Sequence, residues 1–246
     1  MTNKLYVGLK LRIPAPKKPC LFIHDEVPDV PLARVFDPRS HSLDVFKAMT
    51  PRRARELAEL LYTAVPEGQN TLTVRNGKRN LAPLLRDSKS FDDALTTTED
   101  DEAKAMLEDL LFMPELRNPL SGSRRIFKLH NHSIILARLN RAEIGDFAAL
   151  VLGFILISMH KGQIIIPDFG FYGRDAHIGL VRENRLIAGV NFLGELPLRL
   201  RQALLLVKDK TAQHALYDDA VTLANLAGYI PHTNQFNDEV GMMMCS

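Results

Sequence analysis

Short apolar runs and amphipathic segments alternate along the 246-residue chain. Runs of roughly four to eight apolar residues that end at Pro, Gly, Asp or Asn predict strands, and apolar residues at helical spacing predict helices. The alternation favours an α/β fold with a mainly parallel sheet flanked by helices. Strands are predicted at residues 20–23, 32–36, 132–139, 163–166, 185–191 and 204–207. Helices are predicted at residues 51–65, 81–87, 99–116, 141–160, 197–203 and 218–227.

The length of the chain is that of one large α/β domain, so residues 1–246 are interpreted as a single domain. Within it, residues 66–123 combine polar turns with helical patterns and predict a helical insertion. The predicted turns are PEGQ at residues 66–69 and RNGK at residues 75–78. The second contains an Asn-Gly pair, which is typical of hairpins when it lies between apolar runs.

Composition and charge restrict the class of protein. Apolar residues make up 46% and charged residues 24% of the chain, which is the balance of a globular protein. The formal net charge of +2 is too small to indicate nucleic-acid binding by itself. Cys20 and Cys245 are the two cysteines, and neither lies in a cluster with metal-ligand spacing, which argues against a disulfide or zinc scaffold.

The N-terminal segment contains charged residues where a secretory signal would be apolar, so a cytoplasmic location is expected. The longest apolar run, residues 147–159, has 13 residues, whereas a bilayer crossing needs about 20. It is therefore predicted to be a buried helix, and no membrane-spanning segment is expected. The basic residues of the N-terminal segment indicate either a contact with nucleic acid or a solvated arm. They are Lys10, Arg12, Lys17 and Lys18.

Asp168 is the leading candidate for a functional residue. It follows the apolar strand 163–166, and ligands of open α/β folds bind at the carboxyl edge of the parallel sheet. In nucleotide hydrolases an Asp at this place holds Mg²⁺ directly or through water. Two alternatives stay open: Asp168 caps a turn before Gly170, or it joins acidic residues near position 25 in a metal-dependent nuclease site.

The order of several segments resembles the second half of the HerA/FtsK-type motor ATPases, which include the type IV secretion coupling proteins. The resemblance covers residues 32–228 and begins with VFDPRSHSLDVF. The later segments are HSIILARLNRAEIGDFAALVLGFILISM, KGQIIIPDFGFY, ENRLIAGVNFLGELPLRLRQALL and YDDAVTLANLAG. It implies a RecA-like core, ATP and Mg²⁺ as cofactors, and DNA and a homo-oligomeric ring as partners.

The resemblance also assigns roles to individual residues. Asp168 matches the metal-binding aspartate of the Walker B strand, and Asn191 matches the polar sensor that positions the attacking water. A motor of this kind takes an arginine from a neighbouring subunit to stabilise the transition state. The candidates for this arginine finger are Arg182, Arg185, Arg199 and Arg201.

Two departures from the family pattern weigh against hydrolysis. No Gly-x-x-x-x-Gly-Lys-Ser/Thr loop occurs, and the nearest fragment has Leu72 in place of the first Gly and Arg79 in place of the hydroxyl residue. Phe169 follows Asp168 where the catalytic Glu is usual.

Two hypotheses follow. One is a degenerate or truncated HerA/FtsK-like ATPase associated with DNA translocation, conjugation or packaging. The other is a non-catalytic α/β binding or assembly protein that uses residues 81–120 of the helical insertion as a partner surface.

Overall fold

The computed structural model describes residues 3–9, 11–63, 71–122 and 124–226. Seven strands form one parallel sheet in the order β3-β6-β2-β7-β8-β1-β9, and β4 and β5 form a small second sheet. The strands are β1 (Lys4–Val7), β2 (Cys20–His24), β3 (Arg34–Phe36), β4 (His41–Ser42), β5 (Arg125–Ile126), β6 (Ile134–Arg138), β7 (Gln163–Ile166), β8 (Leu186–Val190) and β9 (Asp209–Ala212). The parallel α/β fold predicted from the sequence is confirmed.

Among the described residues, α-helices lie in four of the eight connections between these nine strands. The helices are α1 (Pro51–Thr63), α2 (Thr71–Asp87), α3 (Phe91–Thr97), α4 (Asp101–Phe112), α5 (Pro114–Leu120), α6 (Arg141–Ile144), α7 (Asp146–Met159), α8 (Phe169–Tyr172), α9 (Ile178–Arg182), α10 (Leu198–Leu205) and α11 (Tyr217–Leu226). Local signals start several of them. Thr50 Oγ1 accepts a hydrogen bond from the Arg53 N–H at 3.3 Å, and Asp100 Oδ1 accepts one from the Ala103 N–H at 2.7 Å.

Strand β1, which precedes the basic residues of the N-terminal segment, was not predicted from the sequence. It lies inside the sheet between β8 and β9, where Leu5 and Val7 are fully buried. Strand β1 has only four residues, and Lys4 and Tyr6 alternate with the two buried ones. The apolar run is therefore too short and too interrupted to be recognised without its neighbours in the sheet.

Three predictions are wrong. RNGK at residues 75–78 lies within helix α2 and not in a turn. Residues 204–207 do not form a strand, because α10 continues to Leu205 and the edge strand is β9. The helix predicted at 141–160 is split into α6 and α7 at Gly145, whose φ of 81° is left-handed. The predicted turn PEGQ lies outside the described residues.

Helix α7 forms the centre of the core. Its residues 148–157 are buried on all sides, as the apolar run predicted. Gly153 lies under the ring of Tyr172, where a Cβ would meet ring carbon atoms at 2.5 Å and 2.7 Å. Among the described residues, no helix has both the length and the apolar character that crossing a membrane requires.

The two faces of the sheet are covered differently. The connections that run toward the β9 edge, from β3 through β6, β7 and β8 to β9, all contain helices. The connections from β1 to β2 and from β2 to β3 run toward the β3 edge and contain no helix among the described residues. Because parallel crossovers are right-handed, connections of opposite direction cross opposite faces. One side, here called the helical face, therefore carries the helices.

The opposite side is called the open face and is defined by Cys20, Phe22, Leu136 and Ile165. These four side chains form a small separate core, and none of its described members belongs to a helix. Residues from the two helix-free connections pack over them. These residues are Ile13, Val27, Val30 and Ala33.

Candidate functional site at the carboxyl edge of the sheet

Charged and polar residues follow several strands at the carboxyl edge of the sheet. Asp25 follows β2, Arg141 begins α6 after β6, Asp168 follows β7 and Asn191 follows β8. Strands β2 and β7 are neighbours, but the chain leaves β2 toward β3 and leaves β7 toward β8. Such a divergence is a topological switch point, the usual ligand-binding crevice of open α/β sheets.

Arg141 joins the two aspartates of this crevice. Its Nε donates to Asp25 Oδ1 at 3.2 Å and to Oδ2 at 3.0 Å. Its Nη2 contacts Asp25 Oδ2 at 2.9 Å and Asp168 Oδ2 at 2.8 Å. The guanidinium also lies 4.7 Å from the centre of the Phe171 ring. A single cation is thus held by two carboxylates and an aromatic face.

The electrostatics favour this arrangement in the charged state. Burial disfavours the charged guanidinium, but the hydrogen bonds that Arg141 donates to Asp25 and the charges of Asp168 and Asp25 outweigh it, so the pKa of Arg141 is raised. All three side chains are partly buried, with exposures between 24% and 30%. Their pairing is therefore screened less than a fully exposed ion pair would be.

The surroundings of Asp168 differ from those of a magnesium ligand. Its carboxylate pairs with Arg141, and in the described part of the chain no group of three or more His, Cys, Asp or Glu residues is arranged to hold a metal. Asp168 precedes α8, but its side chain makes no capping hydrogen bond to that helix. The residues present do not fit a Mg²⁺ ion at this place, because a positive charge already occupies the space between the carboxylates.

Asn191 lies on the neighbouring strand end and binds a residue that the sequence pattern missed. Its Nδ2 donates to Glu195 Oε1 at 3.2 Å, and its backbone N–H donates to Glu195 Oε2 at 3.2 Å. The same carboxylate lies over Gly170, where a Cβ would be 1.9 Å from Glu195 Oε2. A glutamate thus reaches the edge beside Asp168 from the loop after β8, although Phe169 stands at the sequence position where a Glu was expected.

The hydroxyl of Tyr172 is enclosed behind the ion-pair cluster. It has no hydrogen-bond partner among the described residues, and its side chain lies against Gly153. Burial, followed by the negative charge of Asp25, raises the pKa of Tyr172. The phenol is therefore neutral and belongs to the core behind the crevice.

The segment after β1 provides no phosphate cradle among its described residues. Gly8 has φ 147°, and a Cβ there would lie 1.4 Å from the Gln213 carbonyl oxygen. The Gly8 N–H donates to Val190 O at 2.9 Å, and the Leu9 N–H donates to His214 O at 3.4 Å. A phosphate-binding loop needs free backbone N–H groups and a following helix. Here those two groups bond to the neighbouring strands, and no helix is present in the described residues before β2.

The predicted arginine fingers are not brought to Asp168. Arg185 precedes β8 and donates to the carbonyl oxygens of His160 and Gly162 at the amino edge of the sheet. Arg182 and Arg199 line a cleft that also contains Asn3, the residue before β1. Arg201 lies half-buried in α10. A role of any of them toward a neighbouring subunit stays a prediction.

Two buried histidines lie on the helical face. His160 and His177 line a cavity of about 640 Å³ near the start of α1. Burial, followed by the charge of Arg185, lowers the pKa of His160 to about 4. Burial, followed by the charge of Arg174, lowers the pKa of His177 to about 3. Both imidazoles are therefore neutral at physiological pH.

Comparison with known proteins supports the fold. No family model matches the chain, and no curated protein matches it either. A solved structure of a bacterial conjugative coupling protein, TrwBdeltaN70 in its unbound monoclinic form, is similar with a TM-score of 0.51 and 10% sequence identity. The match covers 90% of this chain and 70% of that chain. The chain has a RecA-like α/β fold. At this identity the likeness shows the fold alone.

Proposed function

We propose that the chain is a distant relative of the P-loop ATPases that acts as a binding or assembly protein without hydrolysing nucleotide. The observation that carries the proposal is the position of Arg141 between Asp25 and Asp168. In a nucleotide hydrolase, a metal ion and phosphates would have to share this crevice. In this chain the arginine already supplies the positive charge that the carboxylates need.

The segment after β1 supports the same conclusion. The Gly8 and Leu9 N–H groups donate to backbone carbonyls, and no helix N-terminus is present there in the described residues to receive a phosphate. The bonded N–H groups after β1 and the arginine between the carboxylates are separate observations on different segments. Together they favour a scaffold over a motor.

The competing proposal is an active HerA/FtsK-like ATPase for DNA translocation, conjugation or packaging, assembled as a ring. It is favoured by the likeness of fold and by the positions of Asp168 and Asn191 at the ends of neighbouring strands. It would need Arg141 to release Asp168 when ATP and Mg²⁺ bind. It would also need one of the four candidate arginines to reach the nucleotide of another subunit.

The helical insertion remains a proposed partner surface for the non-catalytic protein. Phe112, at the end of α4, has 87% of its surface exposed. The first turn of α4 carries Asp101 and Glu102 beside the capping Asp100. An exposed aromatic side chain on a helix with an acidic end is a plausible anchor for a partner, because aromatic residues are enriched in interface centres.

Calorimetric titration with ATP and Mg²⁺ tests the proposal. We expect no binding heat with the natural chain or with Asp168→Ala at millimolar nucleotide. Binding by the natural chain that weakens in Asp168→Ala but not in Asp109→Ala, a change of an exposed acid on α4, would favour the motor. An Arg141→Gln variant frees both carboxylates. Comparing its titration with that of the natural chain shows whether Arg141 prevents metal binding.

A further inference from the structure

The open face of the sheet is incompletely covered beside β1. All-parallel sheets occur almost only where both faces are covered, usually by helices. The two helix-free connections bury Phe22 and Leu136, but Tyr6 on β1 and Ile187 on β8 remain half-buried. This part of the sheet thus presents apolar surface that no element of the described chain fully covers.

A groove with a volume of about 790 Å³ occupies this region. Its floor contains Tyr6, Ile165 and Ile187, which come from three neighbouring strands. One wall is the proline-rich segment 13–19, which runs over the sheet toward β2. An apolar floor with a raised wall is the shape that receives one side of an amphipathic helix.

The charges of the groove have one sign. Among the described residues, its charged lining residues are Lys4, Lys17 and Lys18, and none of them is a carboxylate. Lys4 pairs with Asp209 at 2.6 Å, whereas Lys17 and Lys18 are exposed at the rim. The groove therefore presents two exposed cations at its rim, and it complements a ligand that carries carboxylates.

We infer that this groove binds an amphipathic helix of a partner protein whose apolar side is flanked by Asp or Glu. The apolar floor would take side chains at positions i, i+3, i+4 and i+7, and the lysines would pair with the flanking acids. A nucleic acid is disfavoured because two of the three floor side chains are aliphatic and, among the described residues, only Lys17 and Lys18 are exposed cations at the rim. The inference does not depend on the absence of nucleotide hydrolysis.

The test uses the lack of tryptophan in the chain. A Tyr6→Trp variant places a unique fluorescent reporter on the groove floor. The probe is an acetylated helical peptide of about 18 residues with Leu on one side and Glu on its flanks, and the control peptide has Lys in place of Glu. We expect a blue shift with a Kd on the order of 10–100 µM for the Glu peptide and no shift for the Lys peptide. Calorimetry with the natural chain repeats the measurement without the substitution.

The charge contribution is tested by Lys17→Glu combined with Lys18→Glu. This double variant should weaken binding of the Glu peptide by about tenfold or more. The matched control, Lys89→Glu with Lys104→Glu, reverses two exposed lysines of the helical insertion and should leave Kd unchanged. Adding ATP and Mg²⁺ should not alter Kd, so failure of this inference is distinguishable from failure of the proposed function.

Four outcomes would overturn the inference. They are no signal with either peptide up to about 1 mM, equal binding of both peptides, unchanged binding by the Lys17 and Lys18 variant, or a preference for duplex DNA. A blue shift that depends on protein concentration alone, with a matching dimer in sedimentation, would instead assign the groove to a second copy of the chain.

Discussion

The helical face and the open face are built from the same strands but differ in what covers them. On the helical face, alternate strand residues such as Ile164 and Leu186 are fully buried beneath helices. On the open face, their immediate neighbours Ile165 and Ile187 meet only extended segments. The alternation of residues along a strand therefore does not determine how firmly a sheet face is packed or whether it is accessible to a ligand. The direction of the connections decides which face receives helices.

The largest expected loss of stability comes from a substitution on the helical face, and a matching substitution on the open face should cost much less. Ile164→Ala removes a side chain enclosed by strands and helices, and it should lower the free energy of unfolding by about 3–4 kcal/mol. Ile187→Ala on the open face should cost about 1 kcal/mol, because its side chain is only half-buried. Urea unfolding of both variants measures this difference. Equal losses would contradict the contrast between the faces.

Low pH should lower the free energy of unfolding, because the helical face contains two buried histidines. An unfolded His has a pKa of about 6.5, whereas His160 and His177 have pKa values of about 4 and about 3 in the fold. The unfolded chain therefore binds more protons below pH 6.5, and the free energy of unfolding should fall as pH decreases from there toward 4. The slope should approach about 1.4 kcal/mol per pH unit for each histidine.

Urea unfolding between pH 4 and 7 measures this slope. His177→Asn keeps an acceptor for the Arg174 N–H but removes one titrating group, so its slope should be smaller than that of the natural chain. The matched control is His130→Asn, which changes an exposed histidine. An unchanged slope in His177→Asn would argue against burial as the cause.

A substitution at the carboxyl edge of the sheet, where the two faces meet, should lower the free energy of unfolding by an intermediate amount. Arg141→Gln leaves Asp25 and Asp168 close together without a shared cation, and it should lower the free energy of unfolding by about 1–2 kcal/mol. Mg²⁺ should restore part of the loss, because the freed carboxylates offer oxygen ligands. Thermal unfolding with and without Mg²⁺ tests this, with Arg86→Gln on the exposed end of α2 as the control.

The smallest effect on stability should occur on the open face. Burial raises the pKa of the Cys20 thiol to about 12, so its alkylation at pH 8 should be slow. Ile13→Ser removes part of its cover and should accelerate alkylation about tenfold, while the free energy of unfolding changes by about 1 kcal/mol or less. Labelling in a Cys245→Ser background isolates Cys20. A large stability loss without faster labelling would contradict a loosely covered face.

Much of this arrangement could be predicted from local patterns. Strands β2, β6, β7 and β8 coincide with apolar runs bounded by turn residues, and Asp168 was placed correctly at the end of its strand. Helix α7 was expected from its continuous apolar run. These features are encoded within a few neighbouring residues, because side-chain periodicity and capping act over one or two turns.

Other features depended on residues far apart in the chain. Arg141 pairs with Asp25 across 116 positions, and no local spacing marks either as the partner of the other. Glu195 reaches Gly170 from the loop after the next strand. Strand β1 has only two buried residues and is stabilised by pairing with β8 and β9, so its own pattern was insufficient.

By itself, the sequence determined the α/β class, the order of most strands and helices, and the lack of a phosphate-binding motif. Tertiary structure alone decided that Arg141 lies between two aspartates, that β1 lies inside the sheet and that extended segments, rather than helices, cover one face in the described part of the chain. The physical reason is the distance along the chain over which each feature is encoded. Hydrophobic periodicity is read over a few residues, whereas ion pairing, strand neighbours and the handedness of crossovers are set only when distant segments meet.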